Sequence, residues 1–372
     1  MSDHAGQGPT VSIVDLLRQM VKGSASDLHL KVPAPPTVRI NGELCELSQH
    51  PGLRPEDTAL VFEQVTAPEQ REVFWREREL DLAYSVPGLA RFRVNASLQR
   101  GTISLSFRTV PLEVPSLVEL GLPEVCQSLA LRSSGLILVT GPGGSGRSTT
   151  LASLVEHINE HRRLYLVTIE DPIEFLHHDR CCLIAQREVG QDTHSFAEAL
   201  RRAIRQDPDA ILVGELSDAE TTSLALAAAE TGRFVLSSTR AVGAVASLDR
   251  LVDMFPLARQ SQARLQLAAT IEGVISQQLV PLADGQGRAL AAEVLVATPA
   301  LRNLIREGKS QQVQAIMKAG TGLGMQTLEQ SLARLVSTGR VSTEVAVAYA
   351  ANPSELQHLL YLEQATRQRP QP

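Results

Sequence analysis

The feature that most constrains the fold is an apolar strand, a glycine-rich loop and a helix in immediate succession between residues 135 and 158. The run Leu136–Val139 predicts a buried strand, and apolar residues from Leu151 to Ile158 recur at the spacing of one helix face. A strand that passes through a glycine-rich turn into a helix is typical of α/β proteins that bind phosphate groups at the helix N-terminus.

The loop fits the phosphate-binding pattern G-x-x-x-x-G-K-[ST] at every defined position but one. Gly141, Gly146 and Ser148 occupy their expected places, and Arg147 stands where the pattern has lysine. Glycines let backbone N–H groups converge on a phosphate, and a serine hydroxyl here can ligate Mg²⁺. The alternative is a glycine-rich turn without a ligand. The predicted phosphate-binding residues are Gly141, Pro142, Gly143, Gly144, Ser145, Gly146, Arg147, Ser148 and Thr149.

Arginine in the lysine position changes the expected chemistry. It keeps the positive charge, but its guanidinium is larger, planar and forked, so it does not replace a compact ammonium. Loss of one well-placed transition-state donor typically costs roughly 100- to 1,000-fold in rate. The sequence therefore predicts that nucleotide binding survives while hydrolysis is slow.

Carboxylates follow two further apolar segments. LYLVTIEDP ends in Glu170 and Asp171, and AILVGE ends in Glu215. We expect the second strand to lie beside the phosphate-loop strand, which would let Glu215 order Mg²⁺ or an attacking water at the carboxyl edge of the sheet. The alternative is a carboxylate that caps the next helix, a task that Ser217 or Asp218 could also perform.

Composition excludes several classes of protein. The net charge is −6 and aromatic residues make up 3% of the chain, which disfavours nucleic-acid binding. The four cysteines form no C-x-x-C pair, so a structural zinc site is not expected. No apolar run approaches the roughly 20 residues needed to span a bilayer, and the N-terminus does not resemble a signal peptide. We therefore expect a cytoplasmic protein without a transmembrane segment.

The order of elements predicts an α/β chain in four parts. Residues 1–110 alternate as strands around two helical stretches, with a hairpin signal at Asn41-Gly42, and indicate a small mixed α+β domain. Residues 111–123 are proline-rich and are predicted to be a linker. Strands and helices then alternate through 124–297, and 298–372 is predicted to be helical, starting with Thr298 as cap.

Two local expectations are less constrained. The segment SQARLQLAATIEGVISQQL (261–279) is interpreted as helical, with a short strand pair around the turn DGQG. Four arginines of the first domain could form a solvated sheet face, or one or more could reach a nucleotide phosphate at a domain or subunit boundary. They are Arg91, Arg93, Arg100 and Arg108.

Taken together, the residues resemble the secretion-type ATPases, and within them the type IV pilus retraction motors PilT and PilU. The likeness rests on SDLHL, PPTVRINGEL and RFRVN, on GPGGSGRSTTLA, TIEDPIEF and QREVGQDTHSFAEALRRAIRQDPDAILVGE, and on AAETGRFVLSSTR, TPALRNLI and GMQTLEQSL. These segments occur in family order over nearly the whole chain. Assembly motors usually carry a four-cysteine insertion and a long N-terminal extension, and the lack of both here favours the retraction branch.

The resemblance implies a PAS-like N-terminal domain, a RecA-like P-loop ATPase domain and a helical C-terminal region. It also implies a hexameric ring that binds ATP and Mg²⁺, docks on an inner-membrane platform protein from the cytoplasm, and drives pilus retraction and twitching motility. TPALRNLI is similar to a C-terminal segment that family members need for retraction, although Leu301, Leu304 and Ile305 could be ordinary core. The site residues implied by the resemblance are Glu215, Glu170, Arg233 and Arg240 as catalytic positions, and Ser148, Glu170, Asp171 and Glu174 around the metal.

Several family positions are altered at this site. Arg147 replaces the lysine, Arg233 and Arg240 replace two histidines, and Ser217 replaces an arginine. Arginine cannot shuttle protons as histidine does, but it preserves charge around phosphates. The leading hypothesis is a motor subunit, in a homo-hexamer or a mixed ring with an active paralogue, that binds ATP and hydrolyses it weakly. The alternatives are a non-enzymatic ring component or regulator, and an ordinary active motor in which Arg147 substitutes well.

Overall fold

The computed structural model describes residues 12–23, 25–40, 42–110 and 113–367. The chain divides into two compact units, Met1–Glu113 and Val114–Pro372. Among the described residues, no helix combines the length and the apolar character needed to cross a membrane.

In the residues that the structure describes, the first unit is an antiparallel six-stranded sheet with three helices. Its strand order is β3-β2-β1-β6-β5-β4, and every neighbouring pair is antiparallel. Apolar and polar residues alternate along β5 and β6, so one face is buried. The elements are α1 (Ile13–Lys22), β1 (Asp27–Leu30), β2 (Thr37–Ile40), β3 (Glu43–Glu46), α2 (Pro55–Val65), α3 (Pro68–Glu77), β4 (Glu79–Val86), β5 (Ala90–Gln99) and β6 (Thr102–Val110).

The predicted hairpin and the predicted arginine face can be compared with this unit. Strands β2 and β3 pair directly on either side of the turn, although Asn41 itself lies outside the described residues. Arg108 donates from Nε to Asp27 Oδ1 at 2.7 Å. The side chain of this arginine is therefore engaged in an ion pair within the sheet.

The second unit is a seven-stranded, mainly parallel sheet flanked by helices. The strand order is β13-β12-β7-β11-β10-β8-β9, and only the β12–β13 pair is antiparallel. Its strands are β7 (Gly135–Thr140), β8 (Tyr165–Glu170), β9 (Leu183–Glu188), β10 (Ala210–Val213), β11 (Phe234–Thr239), β12 (Ile271–Pro281) and β13 (Arg288–Val296). Its helices are α4 (Val125–Ala130), α5 (Arg147–His161), α6 (Phe196–Ala203), α7 (Ala219–Glu230), α8 (Ala244–Asp253), α9 (Leu257–Thr270), α10 (Pro299–Glu307), α11 (Val313–Ala319), α12 (Leu328–Ser337), α13 (Thr343–Tyr349) and α14 (Pro353–Arg367).

The central strands are apolar because helices cover both faces of the sheet. All six residues of β7 and of β11 are buried, and so are the four of β10. The predicted α/β architecture, a small mixed domain followed by a P-loop domain with helices at the C-terminus, is confirmed.

The order of the strands corrects one expectation. Strand β11 lies between β7 and β10, so Glu215 follows a strand two positions from the phosphate-loop strand and not beside it. The sequence pattern predicted the strands that precede the phosphate loop and Glu215, but it held no signal for the strand that lies between them.

Two segments differ from their predicted character. From Val114 onward the chain belongs to the second unit, where Leu117 and Leu122 are buried, so the second half of the predicted linker is packed. The helix α9 ends at Thr270, and Ile271–Pro281 is a long strand, not a helix. Its β-branched residues Val274 and Ile275 pack into the core and pair with β7, and this tertiary pairing overrides the helix-like spacing.

The C-terminal helices pack on this same unit. Thr298 caps α10 by accepting a hydrogen bond from the Leu301 N–H at 3.2 Å. Leu301 and Ile305 are buried in the main core and Leu304 packs against it, so these three residues contribute to packing.

Candidate functional site

A cleft of ≈560 Å³ opens at the carboxyl edge of the second unit's sheet. It is lined by the first turns of α5 and by residues that end or follow β8, β10 and β11. The carboxyl edge of a parallel sheet is where α/β proteins hold their ligands. The lining includes these predicted site residues: Arg147, Ser148, Glu170, Asp171, Glu174, Glu215 and Arg240.

The phosphate loop connects β7 to α5 in a conformation that requires glycine. Gly141 has φ +146°, and a Cβ there would lie 2.3 Å from the Gln277 carbonyl oxygen. Gly146 has φ +88° and serves as the N-cap residue of α5, and its own carbonyl accepts from the Thr150 N–H at 3.0 Å. The free N–H groups of the first helical turn and the partial positive charge at this end favour an anion.

Two buried polar atoms at the loop have no hydrogen-bond partner among the described residues. They are Ser145 Oγ and Arg147 Nη1. An unsatisfied buried donor is costly unless a ligand completes it. Burial also lowers the pKa of the Arg147 guanidinium, against the attraction of Glu215 and Glu174. Arg147 therefore has donor capacity that an anionic ligand in the cleft could use.

Gln277 supports the loop from β12. Its Nε2 donates to the Ser145 carbonyl at 2.8 Å, and it is 1% exposed. No sequence motif points to this residue, because the spacing of segment 261–279 predicts a helix and does not place its side chains at the site. His177, Phe196 and Ser238 also line the cleft without having been predicted.

Glu215 is held by an arginine. Arg240 Nε lies 2.9 Å from Glu215 Oε1, and its Nε and Nη2 lie 3.2 and 3.1 Å from Oε2. The Arg240 side chain is 73% exposed whereas that of Glu215 is 24% exposed, so the pair lies at the cleft surface. Asp218, not Glu215, caps the next helix α7, accepting from the Thr221 N–H at 2.8 Å. The capping alternative for Glu215 is therefore excluded.

Glu170 is a buried carboxyl within the acidic segment. Burial raises the pKa of Glu170, while hydrogen bonds from Thr168 at 2.7 Å and Gln186 at 3.1 Å oppose that shift. Glu188 accepts from the Ile173 N–H at 3.0 Å and so fixes the segment that carries Asp171 and Glu174. The cleft thus contains carboxyl oxygens on a segment whose backbone is held in place by the hydrogen bond to Glu188.

Eight predicted site residues are not part of the cleft lining. Six of them form the loop itself, and the other two are Thr149 and Arg233; the loop residues are Gly141, Pro142, Gly143, Gly144, Ser145 and Gly146. Arg233 lies just before the first residue of β11, whereas Arg240 follows its last, and a strand of that length separates them by roughly 20 Å. Arg233 instead donates to Thr231 Oγ1 at 2.9 Å and to the Ile204 carbonyl at 3.3 Å. Thr149 lies on α5 but outside the cleft lining. Their predicted roles stay predictions.

The sheet is mainly parallel, a glycine loop connects one of its strands to a helix, and carboxylates lie at the same edge of the sheet. These features together define a P-loop protein of the α/β class. The profile of the type II/IV secretion system protein family matches residues 104–348, and the chain belongs to this family.

Named relatives confirm the resemblance to pilus retraction ATPases. The chain is 43% identical over 343 residues to the type IV pilus retraction ATPase PilT of Pseudomonas aeruginosa PAO1, covering 92% of this chain and 99% of that protein. It is 38% identical over 347 residues to the type IV pilus ATPase PilU of the same strain, covering 93% and 92%. A crystal structure of the pilus retraction motor PilT with bound ADP matches with TM-score 0.87 and 42% identity, covering 94% of this chain and 99% of that one.

Proposed function

We propose that this chain is a type IV pilus retraction motor subunit that binds ATP with Mg²⁺ at the cleft and hydrolyses it slowly. The observation that carries the proposal is the contact of the Arg240 guanidinium with both carboxylate oxygens of Glu215, beside a phosphate loop that keeps its glycines and Ser148. The loop supports nucleotide binding. The ion pair with Arg240 restrains the carboxylate of Glu215, which resembles the family's catalytic glutamate.

The residues fit a magnesium nucleotide. The unpartnered Ser145 Oγ and Arg147 Nη1 are suited to phosphate oxygens, and no atom lies within 4 Å of a Cβ built at Gly143 or Gly144. Ser148, Glu170, Asp171 and Glu174 would supply the oxygen ligands that Mg²⁺ prefers, directly or through water. When bound, Mg²⁺ would neutralise phosphate charge between these carboxylates and the nucleotide.

The chain's own groups suggest why turnover is slow. Glu215 must turn toward a water to accept its proton, and its carboxylate is instead engaged by Arg240. Arg147 offers a broad planar donor where the family pattern has a point charge. Both features preserve attraction for phosphates while they weaken the chemical step.

We propose, as the resemblance to pilus retraction motors implies, that the chain works as a homo-hexamer or in a mixed ring with a fully active paralogue. Such a ring would dock from the cytoplasm on the inner-membrane platform protein of the pilus machine. The test in cells is complementation of a strain that lacks the chain. The unmodified chain should restore twitching motility, and a platform contact should appear by crosslinking.

A second candidate function is a non-enzymatic ring component. The same Arg240–Glu215 pair favours it, because a fully sequestered carboxylate would give no turnover. This candidate predicts nucleotide binding with no measurable hydrolysis and normal motility for Glu215→Gln.

Calorimetry of MgATP binding beside an ATPase assay separates these proposals. We expect Glu215→Gln to retain ATP binding and to lose at least about hundredfold in turnover, since a positioned base typically contributes that much. The matched control is Glu124→Gln, an exposed carboxylate at the start of α4, which should leave both quantities unchanged. Absence of ATP binding to the unmodified chain would contradict the proposal.

A further inference from the structure

The last turns of α5 carry a cluster of metal-binding side chains outside the cleft. His157, Glu160 and His161 follow the spacing His-x-x-Glu-His, which brings all three to one side of the helix. One potential ligand atom from each lies within 4.8 Å of the other two. His161 is fourteen residues beyond the helix start, so the cluster lies roughly 20 Å from the phosphate loop.

The two imidazoles are oriented by the helix itself. Their ring centroids are 4.3 Å apart, and His161 Nδ1 lies 2.8 Å from the His157 carbonyl oxygen. A carbonyl oxygen only accepts hydrogen bonds, so Nδ1 carries the proton and Nε2 of His161 keeps its lone pair. A backbone contact of this kind fixes the tautomer that ligates metals.

His157 presents an unsatisfied atom. Its Nε2 is shielded from solvent and has no hydrogen-bond partner among the described residues. Burial lowers the pKa of His157, and the neighbouring His161 lowers it further. A histidine ligates a metal through the lone pair of its neutral ring, and the shielded Nε2 is an atom that a bound ion could satisfy.

Glu160 is positioned by Arg180. The guanidinium of Arg180 contacts Glu160 Oε1 and also reaches Glu156 Oε1 at 3.1 Å. The pair uses one oxygen of the Glu160 carboxylate and leaves the second for another partner. Arg180 would thus orient the ligand carboxylate in the way that outer partners orient metal ligands.

We propose that His157, Glu160 and His161 form a binding site for a divalent transition metal of the zinc or nickel class. Two imidazole nitrogens and one carboxylate oxygen are a donor set that such ions favour, and a water can complete a tetrahedron. Ligand atoms around a tetrahedral ion lie about 3.4 Å apart. Side-chain rotations therefore need to bring the ligand atoms closer to one another by at most about 1.4 Å. The site differs in chemistry from the oxygen-rich cleft that suits Mg²⁺.

A bound ion would fix the last turn of the helix that carries the phosphate loop. Because only the folded helix brings the three ligands together, binding stabilises the folded chain. The proposal does not depend on nucleotide binding or on hydrolysis, since its readouts are metal affinity and thermal stability.

Calorimetric titration with NiCl₂ tests the site on the full chain without a histidine tag. Nickel is the chosen probe because exposed Cys45 and Cys181 would compete for zinc. Excess MgCl₂ occupies the carboxylates of the cleft. We expect one Ni²⁺ per chain with micromolar affinity, and a melting temperature that rises by about 5 °C when Ni²⁺ is roughly hundredfold above Kd.

Two variants decide the assignment. His161→Gln changes an exposed side chain and should weaken Ni²⁺ binding by at least about tenfold and reduce the thermal shift by about half or more. His358→Gln changes another exposed helical histidine, on α14, and should alter neither. The proposal is overturned if the unmodified chain binds no Ni²⁺ more tightly than millimolar, or if His161→Gln binds it as well as the unmodified chain.

Discussion

At the scale of single residues, Gly141 leaves no room for a side chain. A Cβ at this position would lie 2.3 Å from the Gln277 carbonyl and 2.6 Å from Ser145 Oγ. We predict that Gly141→Ala lowers the free energy of unfolding by more than about 2 kcal/mol, because backbone and neighbour must both shift. Urea denaturation of the unmodified chain and of Gly141→Ala measures this difference in the free energy of unfolding.

Gly143 is the matched control in the same loop. No atom lies within 4 Å of a Cβ built there, and its φ is not in the left-handed region. Gly143→Ala should change the unfolding free energy by less than about 1 kcal/mol. Equal losses for both variants would show that the loop, rather than the close approach at residue 141, sets the cost.

A buried carboxyl on β13 predicts how the stability of the folded chain depends on pH. Glu293 Oε2 accepts from the Ala244 N–H at 2.8 Å, and burial, with a contribution from Glu329, raises the pKa of Glu293. As pH rises above the ordinary value of 4.5, the unfolded chain loses this proton first while the folded chain still holds it. The folded state then binds more protons, so stability falls as pH rises.

Glu293→Gln isolates that effect. Its amide keeps an oxygen acceptor for Ala244 but does not titrate. We predict that the unfolding free energy of the unmodified chain, minus that of Glu293→Gln, decreases between pH 5 and pH 8. Urea denaturation at both pH values measures the difference, and a difference that increases with pH would contradict the assigned direction.

At the scale of elements, α10 depends on its first residues. Thr298 caps it and Pro299 occupies its first turn. We predict that Thr298→Ala lowers the unfolding free energy by about 1 kcal/mol, whereas Thr298→Ser, which keeps the hydroxyl, changes it by less than about 0.5 kcal/mol. Thermal and urea denaturation compare the three chains. An equal effect of Ala and Ser would exclude the cap as the cause.

Elements with local signals were predictable from the sequence. The cap at Thr298 and the glycine loop at residues 141–146 each require specific residues at fixed spacing, and each is present. The strand Ile271–Pro281 was not predictable in this way, because its helix-like spacing is overridden by pairing with β7. Gln277, which supports the loop from that strand, could therefore not be found from the sequence.

At the scale of the whole molecule, the alternation of strands and helices predicted the α/β class, but not which strands are neighbours. The insertion of β11 between β7 and β10 is a tertiary choice without a local signal. The same limit applies to Arg233, which is close in the chain to the segments that form the cleft but lies just before the first residue of β11, at the end of that strand away from the cleft. The acidic and basic residues of the cleft converge because several parallel strands end at one edge.

We propose that the cleft binds ATP and that Arg147 and Arg240 slow the hydrolysis of this nucleotide. The most direct measurement compares ATP affinity and turnover of the unmodified chain with those of the double variant Arg147→Lys, Arg240→His. The account predicts micromolar-range binding by both chains and turnover at least about tenfold faster for the double variant. Equal turnover, or no ATP binding by the unmodified chain, would contradict it.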